Sequence, residues 1–297
     1  MSEYQYYEFV AVDRPLDDRQ QAEMRSLSTS ARITATSFVD EYHQGDFRGE
    51  PGELVERCYD AHLYLANWGT RRVMLRLPRG LLELDVAEQY CVGDQVTAWT
   101  VGEHLVLDLT SEDDPGERDV DVRESLSAIV GARAELAAGD HRPLYLAWLA
   151  GYGTWERDED AFDRAQDDES EPPVPPGLRT LTTAQRELAD FLRLDEGLLA
   201  VAAEVSPPLR EVTDEPDQLT TWVTNLPAAE KDQLLRRIVR DQAAVVRMEL
   251  LRRFRDETTT TNPAPSHRTV AELLDGAAKR RTERQHHTAA QHAAKEE

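Results

Sequence analysis

The chain has 297 residues, 40% hydrophobic and 31% charged, enough for one large domain or two smaller ones with a sizeable core beneath a heavily charged surface. Thirty-four lysines and arginines face 57 aspartates and glutamates, a formal net charge of −23. An acidic chain of this kind is repelled as a whole by nucleic acid and by anionic membrane, so either partner would require a local basic patch.

In chain order, YQYYEFVAV (4–12) is aromatic and β-branched and predicts a buried strand. RPLDDRQQAEMRSL predicts a helix, with Pro15 and Asp17 or Asp18 as start signals. ITATSFVDEYH (33–43) predicts a second strand. After the loop GDFRGEPGEL, Pro51 suits a first helical position and Glu53 a first turn, in a helix expected to run on through LVERCYDAHLYLA. RRVMLRLP (71–78) predicts a third strand stopped by Pro78, and LLELDVAEQY a short helix. VTAWTVGEHLVLDLTS (96–111) predicts a β-hairpin turning near Gly102-Glu103. Residues 1–115 thus read as a mixed α/β domain of about five strands within an α+β fold.

An acidic, turn-rich stretch near 111–122 marks a boundary, beyond which the chain turns helical. Residues 116–164 read as a helical pair, and 165–180 as an acidic, proline-rich, solvated linker. Residues 181–257 read as a helical region. Thr182 and Gln185 open its first helix at capping-box spacing, and its last, 227–257, holds no breaker after Pro227. Residues 258–297 read as a linker and a charged tail that, isolated, would be a fraying helix or disordered. No basic n-region precedes an apolar run at the N-terminus, and no apolar stretch approaches ~18 residues, so neither a signal peptide nor a membrane-spanning helix is expected. Cys58 and Cys91 form no close pair, and a reducing cytoplasm is the expected location.

MSEYQYYEFVAVDRPL, FVDEYHQGDFRGEP, LYLANWGTRRVMLRLP and AEQYCVGDQVTAW together resemble an uncharacterised bacterial protein family of actinobacterial type. The likeness extends through EPPVPPGL and LADFLRL to the ELLRRFR helix. Members of that family are encoded beside SWIM-type zinc-finger proteins, so the resemblance implies a protein partner, with a SWIM zinc-finger protein as candidate. It carries no catalytic residues.

Three patterns carry candidate chemistry. In DEYHQGDF, strand alternation puts Glu41 and His43 on one face with Cα atoms about 6.6 Å apart. Asp46 lies past Gly45 and would have to turn back toward them. A metal needs three or more ligands as a rule, and no H-x-H or H-E-x-x-H stands nearby, so no metal or cofactor is expected. Glu41, His43 and Asp46 remain the candidates for an enzyme of unfamiliar type, against the plainer reading of a strand end running into a loop. His62, placed by the expected helix on one face with Cys58, reads as a semi-buried core histidine rather than a metal ligand or thiol activator. Nucleophile elbows and phosphate-cradling glycine loops are absent. TTAQRELADFLRLDEGLLAVAAEV has a helix-turn-helix outline, but Leu198, Leu199 and Val201 stand where base-reading side chains would be needed.

On helix 227–257, about 100° per residue gathers Arg236, Arg237, Arg240, Arg247 and Arg255 in one arc, with Leu234, Leu235, Ile238, Val239, Val245 and Val246 opposite as a buried face. Arg236, Arg237, Arg240 and Arg247 are the candidate partner-binding residues. The plainer reading of the stripe is a solvated or internally paired face, and contact with nucleic-acid phosphate is disfavoured by the net charge. The residues favour a non-catalytic interaction or accessory protein of a bacterial multi-protein system. The alternatives are the unfamiliar enzyme and the nucleic-acid-associated protein.

Overall fold

A computed structural model describes residues 3–112, 125–153, 169–209, 216–239, 243–258 and 268–296. Seven strands lie in the first part of the chain: β1 Gln5–Val10, β2 Arg32–Ile33, β3 Ser37–Tyr42, β4 Ala61–Ala66, β5 Arg71–Pro78, β6 Val96–Val101 and β7 His104–Ser111. They form one antiparallel sheet in the order β2-β3-β1-β4-β5-β7-β6. The class is α+β, with seven strands in place of the expected five. The first extra strand arises because 33–43 is interrupted. Thr34 Oγ1 accepts from the amides of Thr36 and Ser37, and this tight turn separates β2 from β3.

The second extra strand corrects the long helix expected after Pro51. Helix α2 (Pro51–Arg57) does begin with Pro51, but the amides of Cys58 and Tyr59 both close on Leu54 O and end it. AHLYLA then forms β4, paired with β1 and β5. The reason is alternation: Ala61, Leu63 and Leu65 fill one face, while His62 and Tyr64 point to the other. Helical periodicity and a fully buried strand are hard to separate in so short an apolar run. The β6–β7 hairpin turns where expected, with Gly102 at φ +55, a conformation glycine adopts without steric cost.

Two layers cover the sheet. Over Tyr7, Phe9, Phe38, Met74 and Val106 lie α1 (Asp18–Leu27), α2 and the loop residue Phe47. Asp17 caps α1 in a capping box with Gln20. Over Leu63, Leu75, Leu77, Leu105 and Leu107 lie α4 (Ser125–Ala137) and α5 (Arg142–Gly153). α6 (Thr183–Phe191) and α7 (Glu196–Val205) pack behind them, with the Thr182–Gln185 capping box in place. The short α3 (Leu84–Glu88) sits beside β6.

Sheet and helices share one continuous apolar core, so the boundary near 115 does not separate two cores. Nor is the linker solvated where it is described. Glu171, Val174 and Leu178 are buried, and the strap's polar groups are satisfied: Tyr90 donates to Pro173 O, Arg142 to Thr180 O and Ser206 to Pro175 O. The acidic stretches at 113–124 and 154–168 lie outside the described residues. Of the two alternatives for the tail, the structure shows the helical one. Helix α11 (Val270–Glu296) docks through Val270, Leu273, Leu274 and Ala277, and α7 approaches it closely at Gly197 and Gly276. The buried carboxylate of Glu171 holds Arg268 and accepts from the Tyr145 hydroxyl, fixing the start of α11.

The remaining helices are α8 (Pro216–Asn225), α9 (Ala228–Arg237) and α10 (Ala243–Thr258). The unbroken helix expected over 227–257 is therefore two helices. Arg253 pairs with Glu230 and Arg237 with Glu249 at 2.7 Å. In a straight helix those pairs would stand roughly 34 and 18 Å apart, so α9 and α10 lie side by side and not in line.

Candidate functional site

The structure gives DEYHQGDF two different sides. On β3, Val39 and Glu41 share the sheet face of Tyr6 and Glu8, and Tyr6 is the register partner of Glu41. His43 continues on that side just past the strand, exposed, with its ring 5.4 Å from that of Tyr4. Asp46 goes to the other face, where Gln5 Nε2 donates to its carboxylate at 2.8 Å and to Gly45 O at 3.2 Å. The Gln5 carbonyl in turn accepts from Tyr7 at 2.7 Å and from Tyr64 at 3.1 Å. Glu41 and His43 thus share a face as expected, while Asp46 is spent on Gln5 behind the sheet. Its bond steadies the turn through Gly45, at φ +81, and sets Phe47 into the ring cluster of Tyr7, Phe9 and Phe38.

The most buried acid of the stretch is Asp40, which pattern reading left aside. It is 3% exposed and accepts from Ser30 Oγ at 2.9 Å and from the Glu41 amide at 3.0 Å, capping the edge of β3 beyond the short β2. With Ser30, Arg32, Val39 and Glu41 it lines a groove of about 170 Å³. That is smaller than the roughly 300–1,000 Å³ of ordinary small-molecule sites, and neither His43 nor Asp46 lines it. Beside Glu41, burial pushes the Glu8 carboxyl above the usual range, against a bond donated by Tyr6 at 3.0 Å. Among the described residues no three His, Cys, Asp or Glu side chains stand together as a metal would require.

His62 lies in a strand, not on a helix turn above Cys58. It is fully buried, its Nδ1 bonds to Glu8 O at 2.9 Å, and its ring stacks on Phe9 at 4.0 Å. Burial pulls its pKa down to about 3, so it is neutral. Burial pushes the thiols of Cys58 and Cys91 up, away from the thiolate that reactive chemistry needs. Leu198, Val201 and Ala202 of α7 are buried, so the helix-turn-helix outline packs rather than reads bases.

A buried ionic network ties the layers together. Asp60 accepts from the amides of Val12 and Asp13 and from Arg76 at 2.7 Å. Arg133, from α4, reaches Asp13 and donates to Arg76 O. Burial alone would raise Asp60, but Arg133, the Asp13 amide and Arg76 together hold its carboxyl below the usual range.

The arginine stripe is redistributed by the bend between α9 and α10. Arg237 is paired with Glu249 inside the hairpin. Arg236 and Arg247 are exposed on either side of the bend and form no ion pair with a described residue, and Arg240 lies outside the described residues. The face expected to be buried is split. Leu234 and Val246 are buried against the hairpin, whereas Leu235, Ile238 and Val239 are 59%, 41% and 83% exposed. No glycine or proline marks the bend, so only an apolar arc too wide for one neighbour to cover could have signalled it.

Among the described residues no helix is long and apolar enough to cross a membrane. No family model, curated protein or solved structure matches the chain.

Proposed function

We propose that the chain is a non-catalytic interaction or accessory protein of a bacterial multi-protein system, docking a protein partner through the bend end of the α9–α10 hairpin. One observation carries this reading. Three large apolar side chains within five residues, Leu235, Ile238 and Val239, stand open to solvent beside the exposed Arg236. Scattered apolar exposure is ordinary, but an apolar cluster rimmed by charge marks binding surfaces. A SWIM zinc-finger protein is the partner suggested by the family resemblance.

Affinity purification of the full chain from its native cell, followed by mass spectrometry, tests the reading. A stoichiometric protein partner is expected, and recovery of the chain alone overturns it.

A further inference from the structure

Resting on that reading, we infer the chemistry of the partner: it presents an amphipathic helix, apolar along one face and acidic at its flanks, that packs beside α9. Leu234 is buried and Arg237 reaches Glu249 of α10, while Leu235, near the end of α9, and Ile238 and Val239, just past it, are exposed. Apolar side chains at i, i+3 and i+4 are the pattern into which another helix packs its own ridge. α10 packs against α9 on one side, and the exposed Leu235, Ile238 and Val239 leave another side for a further helix to bury.

Charge selects the sign of that helix. Arg236, next to Leu235 on α9, is exposed without an ion pair to any described residue, in a chain whose net charge is −23. Arginine is suited to carboxylate, and an acidic flank on the incoming helix would meet the Arg236 guanidinium as its apolar face meets Val239. A basic helix would meet like charge at this end. A second copy of the chain would bring another net charge of −23 against the first.

A photo-crosslinking residue placed at Val239 of the full chain in its native cell, and separately at the exposed Val12 on the sheet as comparator, tests this, with the crosslinked peptide sequenced. The expected adduct at position 239 lies in a foreign segment with apolar residues at i, i+3 and i+4 and Asp or Glu beside them. Its yield falls about fivefold or more on adding salt or in Arg236→Glu, and persists in Arg236→Lys. An adduct with a basic segment, an adduct with this chain's own peptide, or no adduct overturns the inference. If purification recovers a partner that crosslinks only through Val12, the adaptor reading stands and this surface falls. If no stoichiometric partner is recovered at all, both fall.

Discussion

The sheet with its covering helices and the outlying α8–α10 unit solve the same problem differently. In the first, apolar strands are covered on both faces, and buried charges are matched where they lie, as at Asp60–Arg76–Arg133 and Glu171–Arg268. In the second, the interior ion pairs are matched, but one apolar flank and two arginines stay open. The open apolar flank of the second region is free for a neighbour, whereas the strands of the first are already covered. Substitutions in the first region should therefore cost stability, and those on the open flank of the second should cost binding alone.

The largest effect is expected at the ionic tie between sheet and α4. Asp60→Ala leaves Arg76 without its buried counter-charge and Arg133 with Asp13 alone, and should lower unfolding free energy by about 3–5 kcal/mol in denaturant titration. Because the folded pKa of Asp60 is depressed, its contribution is fully present above the unfolded pKa and is lost as pH falls through the folded value.

His62 comes next and gives a sharper pH signature. Its folded pKa of about 3 lies below the ordinary value of 6.5, so the unfolded chain takes up a proton first and stability falls as pH drops through that window. Between pH 7 and pH 5 the loss should be about 2 kcal/mol. His62→Phe should remove most of that slope, whatever it costs at pH 7, when the two proteins are melted side by side.

Smaller effects belong to the surface. Asp17→Ala removes the α1 cap and should cost about 1 kcal/mol, read as a shift in denaturation midpoint. The pairs Arg280–Glu204 and Arg284–Glu196, which run along the seam of α11 and α7, should each be worth under about 1 kcal/mol. Arg280→Ala combined with Arg284→Ala should therefore leave α11 docked by its apolar residues, with hydrogen exchange over 270–277 unchanged.

The elements most legible in the sequence were those with local signals. The Asp17 and Thr182–Gln185 caps, Pro51 at a helix start, Pro78 at a strand end and the Gly102 turn are all decided within a few residues. What sequence pattern missed was decided by neighbours far along the chain. AHLYLA is a strand because β1 and β5 flank it, and the proline-rich strap is buried because Tyr90, Arg142 and Ser206 meet its carbonyls. The bend after α9 has no local marker, and the pairings Arg237–Glu249 and Arg253–Glu230 reveal it only in three dimensions. The same holds for the candidate site. The shared face of Glu41 and His43 follows from strand alternation, whereas the capture of Asp46 by Gln5 on the opposite face joins residues 41 positions apart.

The difference between the two regions is tested most directly by partner recovery against stability in one pair of proteins. Leu235→Ser combined with Val239→Ser removes two apolar side chains from the open flank and should change the unfolding midpoint little, by within about 0.5 kcal/mol per site. The account predicts that this variant, purified from the native cell beside the unaltered chain, melts alike and loses its partner. Equal recovery of the partner by both proteins would contradict it.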